Sequence, residues 1–160
     1  PGLIARYSEQ LISIYKMQSD EKAYKEELQY YVFECPQHNL EHIQKLKAVC
    51  TEQEWKQYRE QILQSRNSYS ILYPFMEAEG MYECMLECMQ KEQFIFNVDK
   101  YEDMLKKKFP EQMRDIYISY VRKQAEKTGD RKRYRELTQY LKKIRRYSGG
   151  KEKADEIAEN

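Results

Sequence analysis

The chain is predicted to be all-α: stacked antiparallel helical hairpins forming an irregular, tetratricopeptide-like α-solenoid. Three observations carry that expectation. Only five Gly and four Pro stand among 160 residues of which 34% are charged, too few turn-formers for an all-β protein or a disordered linker. Apolar residues recur at spacings of three and four through most of the chain. The sequence also nearly repeats itself. A shift of 110 residues sets Tyr7 on Tyr117, Leu11 on Val121, Asp20 on Asp130, Lys22 on Lys132, Tyr24 on Tyr134, Glu26 on Glu136, Gln29 on Gln139, Tyr30 on Tyr140 and Tyr31 on Leu141. A helix–turn–helix unit cannot bury its apolar face alone, so repetition of that unit is how stacked hairpins show in a sequence.

Taken in order, Ile4, Tyr7, Leu11, Ile14 and Tyr15 form one apolar stripe on a first helix running to about Ser19. Asp20 caps a second helix with Tyr24, Leu28, Tyr31, Val32 and Cys35 on its inner face, and Pro36 ends it. Asn39 caps a third, carrying Leu40, Ile43, Leu46, Val49 and Cys50; Thr51 with Glu54 forms a capping box for a fourth, carrying Trp55, Tyr58, Ile62 and Leu63. These four read as two antiparallel pairs.

The polar stretch 64–68 is the one candidate internal linker, short enough to be a loop. A short helix follows from about Tyr69, with Pro74 in its first turn or distorting it, and Glu79-Gly80 marks a turn. Met81 or Tyr82, with Met85, Leu86 and Met89, define the next helix; Asn97 caps one carrying Tyr101, Leu105 and Phe109; Pro110 opens another with Met113, Ile116, Tyr117, Tyr120 and Val121 inward and Gly129 at its close. Asp130 caps a penultimate helix expected to bury Tyr134, Leu137, Leu141 and Ile144 and to stop at Ser148-Gly149-Gly150, and residues 151–160 read as a frayed C-terminal cap. The whole is expected to be a single helical-repeat domain over residues 1–160. Opening on Pro-Gly without an initiator Met, it reads as a piece of a longer protein.

Composition narrows the function classes. The 28 Lys and Arg nearly cancel 27 Asp and Glu, so whole-chain charge argues for neither nucleic acid nor an anionic membrane. No apolar run approaches the roughly 20 residues a bilayer span needs. Cys35, Cys50, Cys84 and Cys88 lie among apolar neighbours and read as reduced, buried thiols, which fits a cytoplasmic setting. Cys84 and Cys88, at i and i+4, have the spacing of a chelating pair, but Met81, Met85 and Met89 surround them and a methionine-rich core explains them better. His38 and His42 share the same spacing without a metal or acid–base pattern. With no nucleophile–base pair, no paired carboxylates in an apolar setting and no Gly-rich phosphate loop, no enzyme, metal or cofactor is expected.

Two surfaces remain as candidates. Fifteen tyrosines suit protein-binding grooves as well as shallow helical cores, because the ring packs while the hydroxyl stays wet. Tyr30, Tyr73 and Tyr147 fall off the main stripes and are the groove candidates. The second surface is the basic run Arg131, Lys132, Arg133, Arg135, Lys142, Lys143, Arg145 and Arg146, interleaved with Tyr134, Tyr140 and Tyr147, a pattern that can track a phosphate backbone and stack bases. Lys106, Lys107 and Lys108 would extend it if they fell on the same side.

The run Asp130-Arg131-Lys132-Arg133-Tyr134-Arg135-Glu136-Leu137, continued by Tyr140-Leu141-Lys142-Lys143-Ile144 and Gly149-Gly150-Lys151, resembles the C-terminal helical region of bacterial SWIM zinc-finger proteins. Leu46-Lys47 with Glu54-Trp55, and Glu79-Gly80-Met81-Tyr82, are similar in kind. The likeness implies a helical-repeat region appended to a zinc-binding module. That module's cysteine–histidine signature is absent, so no zinc ligand or binding role transfers to any residue here. The expected function is therefore a non-catalytic interaction or scaffold domain that binds another protein or another part of its parent chain. The alternative is an accessory nucleic-acid-binding domain using residues 131–146.

Overall fold

A computed structural model describes residues 2–35, 39–65, 69–92, 94–127 and 131–159. The fold is all-α, with ten helices and no strand among the described residues: α1 Leu3–Met17, α2 Glu21–Glu34, α3 Leu40–Ala48, α4 Glu52–Gln64, α5 Tyr69–Ala78, α6 Tyr82–Glu92, α7 Ile95–Leu105, α8 Pro110–Ala125, α9 Arg131–Ile144 and α10 Gly150–Glu159. They gather into two compact units, Pro1–Glu79 and Gly80–Asn160. The division falls at the Glu79-Gly80 turn, with Gly80 at φ +67°, and not at the 64–68 stretch, of which 66–68 lie outside the described residues.

In the N-terminal unit the expected caps form. The Asp20 side chain accepts from the Ala23 amide at 3.0 Å and Asn39 from the His42 amide at 3.0 Å, each satisfying a backbone donor that the first helical turn leaves open. Thr51 and Glu54 close a reciprocal capping box. Glu54 does more than cap. It also takes Lys25 of α2 at 2.7 Å, and the Lys25 ammonium together with the Thr51 amide and hydroxyl holds its carboxyl down at about 2. Cys35 ends α2 in an extended conformation, as the residue before a proline prefers; Pro36 itself lies outside the described residues.

The core of this unit gathers Ile12, Leu28, Tyr31, Val32, Ile43, Leu46, Trp55, Ile62 and Phe75 from five helices. Polar bonds pin the layers: the Tyr31 hydroxyl donates to Glu9 at 2.8 Å and Ser8 to Glu27 at 2.6 Å between α1 and α2. Glu79 accepts from the Trp55 indole at 3.0 Å and from Lys47 at 2.7 Å. Pro74 sits sixth in α5, inside the helix and not in its first turn.

In the C-terminal unit α8 is the hub, packed by α6, α7, α9 and α10, and it buries Met113, Ile116, Tyr117, Ile118 and Val121 on more than one side. Pro110 occupies its first position, as expected. Three expectations are corrected here. Helix α7 starts at Ile95, so Asn97 lies within it and does not cap it, and it stops at Leu105 so that Phe109 becomes the N-cap of α8. Tyr134 is 63% exposed, leaving Leu137 and Ile144 as the buried residues of α9.

Residues 150–159 form a folded helix, α10, and not a frayed cap. Ala154 of α10 is fully buried, Arg145 reaches Asp155 at 2.6 Å and Arg122 reaches Glu156 at 3.2 Å. Two glycines make that docking possible for different reasons. Gly149 turns the chain at φ +64°, and a Cβ on Gly150 would stand 1.9 Å from the Ile144 carbonyl oxygen. The expected Gly129 and Asp130 boundaries lie outside the described residues.

Candidate functional site

The densest polar cluster is built from three helices of the C-terminal unit. Asp99 on α7 accepts from the Tyr117 hydroxyl of α8 at 2.9 Å, the Tyr140 hydroxyl of α9 at 2.7 Å and the Lys143 ammonium at 2.7 Å. One turn on, Glu102 accepts from Lys143 at 2.8 Å and from the Tyr147 hydroxyl at 2.8 Å. The rings pack around these bonds, Tyr117 stacking on Tyr140 at 5.8 Å and meeting Tyr147 at 6.2 Å, with the Lys143 ammonium over both Tyr117 and Tyr140.

The electrostatics follow from that geometry. Burial raises the Asp99 pKa, but hydrogen bonds from Lys143, Tyr140 and Tyr117 outweigh it and leave the carboxyl below its ordinary value. For Lys143 burial works downward, and the Asp99 and Glu102 bonds more than offset it. Tyr117, Tyr140 and Tyr147 are all pushed up, first by burial and then by the carboxylates they donate to. Each donor finds an acceptor and each charge an opposite, so the cluster is a tie between helices. Nothing in it is poised as an acid, base or nucleophile at neutral pH.

This tie settles where two predicted residues go. Tyr147 is engaged with Glu102 and is only half-exposed, and Lys143 points inward, so neither presents a free surface. Tyr73, the second groove candidate, is 3% exposed on α5, because apolar spacing there brings Leu72, Tyr73, Phe75 and Met76 all out of solvent. Tyr30 alone of the three is exposed.

The basic face divides in the same way. Lys143 is held by Asp99 and Glu102, Arg145 by Asp155, and Lys106 by Asp103. Lys106 and Arg146 do line one cleft of about 420 Å3, but Glu102 and Asp103 line it too. Lys108 lies over the Tyr82 ring. The strip from 106–108 to 131–146 is thus interrupted by carboxylates. Arg131, Arg135 and Lys142 share one outward face at helical spacing and form no ion pair among the described residues, with Lys132 exposed beside them, Arg133 half-buried, and the Tyr134 ring exposed along the edge.

The surface that sequence reasoning placed wrongly is on α1. The stripe Ile4, Tyr7, Leu11 and Ile14 was expected to face inward, yet all four are exposed, together with Leu3 and Met17, at 36–78%. Helix α1 instead buries the weaker face carrying Ala5, Ser8 and Ile12 against α2, its one substantial neighbour among the described residues. The reason lies in the Ser8–Glu27 and Tyr31–Glu9 bonds, which fix the rotation of α1 on α2 through polar partners that a hydrophobicity pattern does not register.

The other candidates close down. Cys35 is buried, and Cys50, Cys84 and Cys88 are half-buried, all four as free thiols; burial pushes Cys35, Cys50 and Cys88 above the ordinary thiol value. His42 is buried against the Tyr31 ring with Nδ1 on the Asn39 side-chain Oδ1 at 2.7 Å, and burial pushes it down; His38 lies outside the described residues. Among the described residues no three of His, Cys, Asp and Glu converge as a metal site, and no helix is long and apolar enough to cross a membrane. No family model, no curated protein and no solved structure matches the chain.

Proposed function

We propose that this protein is a non-catalytic interaction domain, a tetratricopeptide-like stack of helical hairpins that binds another protein through the outward face of α1. The observation that carries the reading is that stripe. Leu3, Ile4, Tyr7, Leu11, Ile14 and Met17 form a contiguous apolar ladder in solvent on a helix that covers only its weaker face. Monomeric proteins rarely expose such ladders without a use for them. The aromatic and aliphatic anchors at its centre, Tyr7 and Leu11, are of the kind that dominate interface energetics. The likeness to the helical region of SWIM zinc-finger proteins belongs to the same proposal, as does a role inside the cell. The test is site-specific photo-crosslinking: benzoylphenylalanine in place of Tyr7 is expected to give high-mass adducts in cells, and the same group at exposed Thr138 none. Equal adduct yields at the two positions would remove the reading.

A second reading has its own observation. Whole-chain neutrality conceals a split: residues 1–79 hold nine Lys and Arg against twelve Asp and Glu, and residues 80–160 nineteen against fifteen. With Arg131, Arg135 and Lys142 on one open face beside Tyr134, α9 offers a short anionic-backbone contact. Fluorescence anisotropy with single- and double-stranded DNA and RNA at two salt concentrations tests it. Salt-sensitive binding abolished by changing Arg131, Arg135 and Lys142 to Ala supports nucleic-acid contact, and no binding at low salt removes it.

A further inference from the structure

The internal repeat says what kind of object belongs on α1. Helices α2 and α9 occupy Glu21–Glu34 and Arg131–Ile144, the same window displaced by 110 residues, and each is preceded by its hairpin partner, α1 or α8. In that register Leu3, Tyr7 and Leu11 correspond to Met113, Tyr117 and Val121. The first three are exposed and the second three are at most 1% exposed. The difference has an identifiable source: Tyr117 lies under a further helix, α7, whose Asp99 takes its hydroxyl, whereas among the described residues α1 has α2 as its one substantial neighbour. Among the described residues no helix takes the corresponding place on the N-terminal hairpin.

The ladder on α1 is itself a helix of the right form to supply one. Ile4, Tyr7, Leu11 and Ile14 follow the alternating three–four spacing of a two-helix seam, and the ladder is nearly symmetric about its middle. Laid antiparallel on a second α1, Ile4 meets Ile14 and Tyr7 meets Leu11, in both directions at once, as a two-fold interface requires. The flank beside the seam holds Leu3, Gln10 and Met17, so two copies meet there without like charges. Taking about 180 Å2 for a large side chain, the ladder exposes roughly 600 Å2 per copy. Complete burial of both ladders would cover at most about 1,200 Å2, the lower end of a specific interface.

We propose that the protein forms a two-fold dimer through antiparallel pairing of α1 with α1 of a second copy, seated on Tyr7 and Leu11. This rests on the reading of α1 as a docking face and names its occupant. Sedimentation velocity from about 1 to about 100 µM brackets the micromolar affinity expected of so small an interface. A monomer–dimer equilibrium is expected in that range. The double variant Tyr7→Lys and Leu11→Asp is expected to weaken it at least a hundredfold with unchanged far-ultraviolet circular dichroism, because neither side chain is buried in one chain. A monomer throughout the range, or a dimer that the variant leaves intact, overturns the proposal. Crosslinking through position 7 separates the two levels: adducts to a different protein, with no self-adduct, leave the docking face standing and remove the dimer. Absence of any adduct, together with slow hydroxyl-radical oxidation of Met17, removes both.

Discussion

Replacing Asp99 by Ala is expected to destabilise the protein by about 3 kcal/mol, and the figure follows from what each donor loses. Tyr117 is fully buried, so its hydroxyl, deprived of the 2.9 Å bond to Asp99, forfeits its carboxylate acceptor without water to replace it; such an orphaned group costs about 1–3 kcal/mol. Tyr140 is half-exposed and can rehydrate, so its 2.7 Å bond contributes about 1 kcal/mol. Lys143 keeps Glu102 at 2.8 Å and some solvent, and adds less than about 1 kcal/mol. Equilibrium urea unfolding followed by circular dichroism measures the sum, and thermal unfolding should show a drop of about 6–12 °C for a chain of this length. The control is Glu136→Ala. Its contact with the Tyr120 hydroxyl is exposed and long at 3.3 Å, so it should stay within about 0.5 kcal/mol of the parent. Equal effects of the two substitutions would refute the view that the Asp99 cluster ties α7, α8 and α9 together. Asp99→Ala and Glu102→Ala share Lys143, so their effects should not add.

The same cluster sets a pH dependence. Tyr117, Tyr140 and Tyr147 hold their protons more tightly in the fold than at the ordinary value of 10.0, so their stabilisation is complete below pH 10 and is lost as pH rises beyond it; Asp99, held below 3.8, gives stabilisation that is lost as pH falls through that value. Urea midpoints measured from pH 3 to 11 should fall at both ends, and a flat alkaline limb would contradict the burial of the three hydroxyls. Gly150→Ala forces a methyl into the Ile144 carbonyl and should cost about 1–3 kcal/mol, read as faster amide exchange across α10. Thr51→Ala removes one half of the capping box and should cost about 1 kcal/mol, checked by urea unfolding. Tyrosine nitration mapped by mass spectrometry should mark Tyr7, Tyr30 and Tyr134 quickly and Tyr31, Tyr73 and Tyr117 slowly.

What was legible in the sequence was local. Asp20, Asn39 and Thr51 cap the helices they were expected to cap, because a capping side chain bonds an amide two or three residues away and needs no partner elsewhere in the chain. Pro110 opens α8 for the same kind of reason. Asn97 misled because the apolar Ile95 and Val98 extend the helical pattern past a residue that is a cap by type alone. The segment 151–160 looked too polar to dock, and α10 docks because a single small residue, Ala154, and ion pairs from Arg122 and Arg145 suffice.

The sequence by itself determined the helices, most of their limits and the 110-residue correspondence of two hairpins, since spacing, caps and turn residues act within a few positions of one another. Only the tertiary structure decided which face of each helix is covered. Periodicity defines a stripe but not its neighbour: Tyr7 and Tyr117 occupy matching positions, and one stands in solvent while the other lies under α7 with its hydroxyl on Asp99. The candidate surface on α1 and the tie around Asp99 both arise from that difference. A helix supplies its apolar face locally, but what covers it comes from a segment that only folding brings near.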